Sequence, residues 1–259
     1  MLAPGHPWGE LLQYYDTLES TNTLAKTLAL QGAPHGTVII AGQQTGGRGR
    51  MGRSFHSPAG TGLYLSAILR PGCPAADLMH LTCAVAVAVC DAVEDATGLR
   101  TGIKWINDLV CGKRKVAGVL TELVLVPGTA TVDAAIIGIG INCRQSETDF
   151  PEELRGIAGS LSMAAEKDIS PAAVAAAVIT QLSDLSGHLL DDKSNLMNRY
   201  RNQCITIGKE VAVHRFDTVR HGYAVDVDDD GGLLVEFPDG KTETVSSGEA
   251  SVRGMYGYV

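Results

Sequence analysis

Apolar positions change their period along this chain, and each change marks an element. Behind Ser20-Thr21-Asn22, whose short polar side chains suit a helix N-terminus, Leu24, Leu28 and Leu30 form a helical stripe that stops near Gly32. Thr37 to Gly42 (TVIIAG) is a short β-branched run and reads as a strand, and Gly62 to Leu69 alternates as another. Between them, Gln43 to Pro58 reads as a loop. Ala75 to Thr97 predicts one long helix, introduced by Pro74 and closed by Gly98.

Short runs then replace long ones. Gly102 to Trp105, Leu109 to Cys111, Val116 to Val126 and Thr131 to Ile141 read as strands, joined by turns at Asn107-Asp108, Gly112-Lys113 and Pro127-Gly128. Such short connections predict an antiparallel or mixed sheet, because parallel strands need long crossovers. The polar stretch from Arg144 to Gly159 reads as a long surface loop. Pro171 to Asp191 predicts an Ala-rich amphipathic helix, followed by a shorter one around Leu196 to Arg201. The pattern shifts near Gly208. Glu210 to His214, Gly222 to Val227, Leu233 to Phe237 and Lys241 to Val245 read as strands between Gly- and Asp-rich turns, which predicts a small β-barrel appended to an α/β domain. The expected division is 1–207 and 208–259.

Composition adds two things. Glycine accounts for 30 of 259 residues, so many backbone positions need positive φ or close approach to a ligand. The formal net charge is −8, which argues against general nucleic-acid binding. Yet from Ser20 to Ala76 there is no Asp or Glu, while Lys26, Arg48, Arg50, Arg53 and Arg70 all fall there, a local +5 that points to a pocket for an anion. The six cysteines form no Cys-x-x-Cys pair and no metal-ligand spacing with His, and Cys83 and Cys90 read as small core residues. The N-terminus has no secretory pattern and no apolar run is long enough to span a bilayer, so a reduced, cytoplasmic location is expected.

Three segments carry chemistry. In Gly46-Gly47-Arg48-Gly49-Arg50-Met51-Gly52-Arg53 the glycines let backbone N–H groups face an oxyanion, and each guanidinium can clamp carboxylate or phosphate. It matches neither a Walker loop nor a dinucleotide fingerprint. Its glycines predict a loop that stays mobile until a ligand arrives. The second segment is Lys104-Trp105-Ile106-Asn107-Asp108-Leu109 with Arg114-Lys115-Val116-Ala117-Gly118-Val119-Leu120-Thr121-Glu122. Lys115 either points into a cleft, where it would neutralise developing charge, or guards a solvated strand edge. Asp108 is a candidate for holding Mg2+ or orienting an arginine, with turn formation by Asn107-Asp108 as the bland alternative. Third, Ile136-Ile137-Gly138-Ile139-Gly140-Ile141-Asn142 places Gly138 and Gly140 on one strand face, leaving either a slot for a flat ligand or room for tight packing.

Taken together, Ser20-Thr21-Asn22, Gln44 ahead of GRGRMGR, KWINDL, KVAGVLTE and GIGIN resemble the biotin protein ligase family in order and spacing, over nearly the whole chain from about Tyr15. The resemblance implies an α+β fold: a class II aminoacyl-tRNA synthetase-like catalytic domain with a mixed sheet and flanking helices, followed by a small SH3-like barrel. It implies that Ser20, Thr21, Asn22 and Gln44 hold the ureido ring and valerate chain of biotin. Arg48 and Arg50 would close over the biotin carboxylate and the ATP phosphates, with Gly47 and Gly49 as backbone donors and Arg53 beside the nucleotide. Lys115 would contact the carboxylate and α-phosphate. Gly118, Gly138 and Gly140 would line the floor, and Asn107, Asp108 and Asn142 would lie near ATP. Catalysis would rest on Lys115, Arg50 and Arg48, with Mg·ATP and biotin as substrates.

The implied acceptor is the biotin carboxyl carrier domain of acetyl-CoA carboxylase or a related carboxylase. Homodimers are common among such proteins. The family's usual Pro is replaced by Ile106, and a Trp frequent after the arginine loop is Phe55. The family's bifunctional members carry a winged-helix module ahead of this domain, and only a short segment precedes Tyr15 here, so no DNA binding is expected. Two rival classes are a lipoate ligase or octanoyltransferase of the related fold, and a non-catalytic biotin-sensing domain.

Overall fold

The computed structural model describes residues 2–215, 218–246 and 251–254. Seven strands form the main sheet: β1 (Leu12–Leu18), β2 (Thr37–Gln44), β3 (Gly62–Leu69), β4 (Gly102–Lys104), β5 (Asp108–Cys111), β6 (Arg114–Leu125) and β7 (Val132–Asn142). Their order is β1-β2-β3-β7-β6-β5-β4, with β1 and β2 parallel and every other pair antiparallel. The mixed sheet expected from the short connections is therefore present. β1 escaped the sequence reading, because LQYYDTL lies on the sheet edge and buries none of its residues fully.

Helices α1 (Thr21–Leu30), α2 (Leu81–Thr97), α3 (Leu161–Ala165), α4 (Pro171–His188) and α5 (Lys193–Gln203) complete this part. The expected helix from Ala75 begins later. Ala75–Leu78 is a 3-10 turn tied down by the Ala75 N–H on the Ala130 carbonyl, and the α-helix starts at Leu81. Gly98 closes it in the left-handed conformation at φ 77°. Ala75–Thr97 is long and apolar enough to cross a membrane by composition, but it is a core helix here, packed against α4 and α5.

The side-chain alternation of the strands sorts the two faces of the sheet. Leu63, Leu65 and Ala67 of β3, with Ile137, Ile139 and Ile141 of β7 and Ala117 and Val119 of β6, join the large core under α2 and α4. The opposite face carries Ile39, Ile68, Val124, Ala134 and Ile136, which pack under Ala25 and Ala29 of α1. Helix α1 covers only one end of that face. Beyond it lie Ser66, Gly138, Gly140, Gly118 and Leu120, in cross-strand rows Ser66–Gly138–Leu120 and Tyr64–Gly140–Gly118–Asp108. Only the first turn of α1 reaches over this stretch with its three glycines, which leaves room for a cavity.

The C-terminal strands β8 (Lys209–Arg215), β9 (Thr218–Val227), β10 (Leu233–Glu236), β11 (Thr242–Val245) and β12 (Ser251–Gly254) form a separate antiparallel sheet, ordered β11-β10-β9-β8-β12. Its β9–β10 turn docks on the larger part. The indole N–H of Trp105 donates to the Gly231 carbonyl at 2.9 Å, and Lys193 and Arg201 pair with Asp230 and Asp229.

Candidate active site

A cavity of about 630 Å3 opens over the uncovered end of the sheet. Its lining includes Ser20, Thr21, Asn22, Gln44, Arg48, Gly49, Arg50, Arg53, Asn107, Asp108, Lys115, Gly118, Gly138, Gly140 and Asn142. Segments more than a hundred residues apart in sequence thus meet at one place. Gly47 is the exception among the residues read from the sequence. A Cβ there would lie 2.5 Å from the Phe55 carbonyl oxygen and 2.6 Å from Ser57 Oγ, so this glycine serves packing within the loop.

The end beneath α1 is polar and uncharged at its floor. Ser20 caps the helix, its Oγ accepting from the Thr23 N–H at 3.5 Å. The next two side chains, on the first turn, are buried and bonded. Gln44 Oε1 accepts from the backbone N–H of Thr21 at 2.8 Å and lies 3.1 Å from its hydroxyl, while Gln44 Nε2 donates to Ser57. Asn22 Oδ1 accepts from Ser66 at 2.6 Å. The glycines beneath have steric reasons. A Cβ on Gly138 would come within 2.1 Å of Asn22 Oδ1, and one on Gly140 within 2.6 Å of the Phe55 ring. Of the two readings of this pair, tight packing holds in this structure, by a side chain of α1 and one of the arginine loop.

The cavity also gathers cations, of which Arg48 reaches back to α1 and donates to Thr23 Oγ1 at 2.9 Å. Arg48 and Arg50 belong to a compact stretch with a short 3-10 turn over Arg50–Gly52, and the backbone at Arg48 bridges to Ser54. Met51 takes φ 56° within it, a left-handed position where a non-Gly residue is uncommon. Arg50 donates to Asn107 Oδ1 at 3.1 Å, and Asn107 Nδ2 in turn donates to the Val119 carbonyl. Burial pulls the Arg50 guanidinium below its ordinary pKa, and nearby Asp108 acts in the opposite direction. Lys115 faces the cavity and donates to Asp108 Oδ1 at 2.5 Å, so it is no strand-edge guard. Asn142 donates to the Gly159 carbonyl and accepts from Gln145.

One wall was missed by the sequence reading. The stretch from Arg144 to Gly159 is no plain surface loop: Gln145, Phe150 and Ala158 are buried, and Phe150, Leu154, Ile157 and Ala158 line the cavity. The N–H of Lys115 bonds to the Ile157 carbonyl and the N–H of Gly159 to the Lys115 carbonyl, fastening the segment beside β6. The signal was the spacing of Phe150, Leu154 and Ile157, four and then three apart within a polar run. Phe55 and Trp105 also line the cavity.

A mixed sheet, a cavity lined by neutral amides and cations, and an attached small β sheet agree with a protein of the biotin and lipoate ligase type. Residues 14–142 match the biotin/lipoate A/B protein ligase family, and residues 206–253 match the biotin protein ligase C-terminal domain. The bifunctional ligase/repressor BirA of Bacillus subtilis is 39% identical over 236 residues, covering 90% of this chain and 71% of that protein. The biotin–[acetyl-CoA-carboxylase] ligase of Mycobacterium tuberculosis is 31% identical over 262 residues, covering 96% and 91%. Among solved structures, the biotin protein ligase of Aquifex aeolicus in complex with biotin and ATP superposes with a TM-score of 0.79 at 30% identity, covering 94% of this chain and 98% of that one. The chain belongs to the biotin protein ligase family.

Proposed function

We propose that this protein is an ATP-dependent biotin protein ligase, which activates biotin as biotinyl-5′-AMP and transfers it to a lysine of a carrier protein. The observation that carries this reading is one cavity that gathers the neutral hydrogen-bonding side chains of Thr21, Asn22 and Gln44 with the cations Arg48, Arg50, Arg53 and Lys115. A ureido ring matches the neutral group, and a carboxylate meeting a triphosphate matches the cations. The relatives named as biotin ligases support biotin over lipoate or octanoate as the acyl group.

In this reading biotin lies in the cavity beside Gly118, its ring toward Ser20, Thr21, Asn22 and Gln44, while Gly138 and Gly140 make room for Asn22 and Phe55 against the floor. Its carboxylate meets Arg48, the Gly49 backbone and Lys115. Arg50, Arg53, Asn107, Asp108 and Asn142 surround the nucleotide. The carboxylate attacks the α-phosphorus; the new P–O bond gives the mixed anhydride and the bond to pyrophosphate breaks. The neutral amine of the acceptor lysine then attacks the acyl carbon, an amide forms, AMP departs and the amine proton passes to solvent. Both reactants of the first step are anions, so positioning and charge neutralisation by Lys115 and the arginines do most of the work.

Asp108 is, among the described residues, the single carboxylate lining the cavity, and it is bonded to Lys115. Among the described residues no three His, Cys, Asp or Glu side chains gather as metal ligands. That donor set suits Mg2+ that enters on the phosphates of ATP rather than a resident ion. We assign residues 1–207 as a class II synthetase-like catalytic domain and 208–259 as an SH3-like barrel, a reading supported by the mixed sheet and the five short antiparallel strands. The acceptor is proposed to be a biotin carboxyl carrier domain of acetyl-CoA carboxylase or a related enzyme, with the protein acting in the cytoplasm, without DNA, and as a homodimer. Incubation with biotin, Mg·ATP and such a carrier domain should add one biotinyl group to the carrier, read by mass spectrometry. A carrier left unmodified, or modified only with lipoate, would overturn the proposal.

A further inference from the structure

Glu122 follows Leu120 on the cavity face of β6, opposite Ile136 of β7. It does not line the cavity, but its side chain reaches a residue that does. Its Oε2 accepts from Asn22 Nδ2 at 2.9 Å, and the Arg48 guanidinium, which donates to Thr23 Oγ1, lies 3.8 Å from the same oxygen. A carboxylate only accepts hydrogen bonds, so it selects which end of the Asn22 amide turns toward it. The NH2 group faces Glu122 and the Leu120 carbonyl, the latter at 3.4 Å, and Oδ1 faces the Ser66 hydroxyl. The reversed amide would set its oxygen against the anion.

This orientation has a chemical consequence. Both Nδ2 hydrogens of Asn22 are taken by Glu122 and Leu120, while Oδ1 keeps one lone pair beyond the bond from Ser66. The nearby Gln44 has the opposite polarity: Oε1 faces both the N–H and the hydroxyl of Thr21, and Nε2 keeps one hydrogen beyond its bond to Ser57. One acceptor and one donor therefore remain. A ureido group presents N–H donors on either side of a carbonyl acceptor, the complement of that pair. We infer that Glu122 is a positioning residue, which fixes the Asn22 amide as the acceptor for a ureido N–H of the substrate. This assignment rests on the biotin ligase reading above.

The test titrates biotin in ATP–pyrophosphate exchange by the full-length protein. Glu122→Met keeps the side-chain length and removes the acceptor; it should raise KM for biotin about tenfold, the scale of one unsatisfied buried donor, with kcat and KM for ATP little changed. Glu122→Gln can still offer Asn22 a carbonyl oxygen and should stay within about threefold of wild type. If Glu122 acts through Asn22, adding Glu122→Met to Asn22→Ala should raise KM no further than Asn22→Ala alone. A Glu122→Met enzyme with wild-type KM, a Glu122→Gln enzyme as impaired as Glu122→Met, or multiplying effects in the double variant would each overturn the inference. Wild-type protein with no biotin-dependent exchange would instead overturn the ligase reading, so the two failures are distinguishable.

Discussion

Lys115 shows how a single side chain gains its meaning from the fold. In sequence it opens a strand and suits a solvated edge equally well. In the structure its side chain is three-quarters buried and its ammonium is bonded to Asp108, in a row of the sheet where Gly118 faces Gly140 and leaves space above. A Cβ on Gly118 would come within 3.3 Å of the Lys115 side chain, so that glycine is the room in which the lysine lies. In the proposed reaction such a cation, held in place before substrate arrives, would stabilise charge that develops on phosphate oxygens. Lys115→Ala should therefore slow adenylate formation by ~10²–10³-fold. Rapid-quench measurement of pyrophosphate release checks this, and a near-wild-type rate would remove Lys115 from the chemistry. The buried cysteines have no such role. All six are free, and desolvation pushes the Cys90 and Cys143 thiols up to about 12, in keeping with core packing.

Among elements, those with a strong period were legible and those defined by tertiary contact were not. The TVIIAG strand and the Pro171 helix stand close to where their patterns place them, because local period and burial agree. The edge strand β1 has no buried face to imprint a pattern, and the wall at Phe150 to Ala158 looks polar because only a few of its residues turn inward. The site was legible for the same reason in reverse: glycine next to arginine is a costly, unusual choice that packing alone does not explain. Its roles at Gly138 and Gly140 were half legible, since the contacts with Asn22 and Phe55 come from other elements. If the arginine stretch seals the cavity over the adenylate, Arg50→Gly should release biotinyl-5′-AMP into solvent. Filtration of a reaction run without acceptor measures this, and an unchanged ratio of free to bound adenylate would count against the seal.

For the molecule as a whole, an acidic protein gathers five of its 21 lysines and arginines around one cavity. Within the −8 total, a +5 stretch from Ser20 to Ala76 is offset by a C-terminal part from Gly208 with five basic against ten acidic residues. The two parts meet beside the cavity, because Trp105 both lines it and bonds to Gly231 of the β9–β10 turn. Trp105→Phe keeps an aromatic ring but strips the Gly231 carbonyl of its partner, and should cost about 1–3 kcal/mol of stability. Urea unfolding measures that loss, and an unchanged midpoint would mean that the turn docks by its ion pairs alone.

The central claim is that this cavity joins the carboxylate of biotin to the α-phosphate of ATP. Biotin-dependent exchange of labelled pyrophosphate into ATP, measured on the wild-type protein without any acceptor, tests it most directly. Exchange should need Mg2+, saturate with biotin and gain no support from lipoate or octanoate. Exchange driven equally by lipoate, or none with biotin, would contradict it.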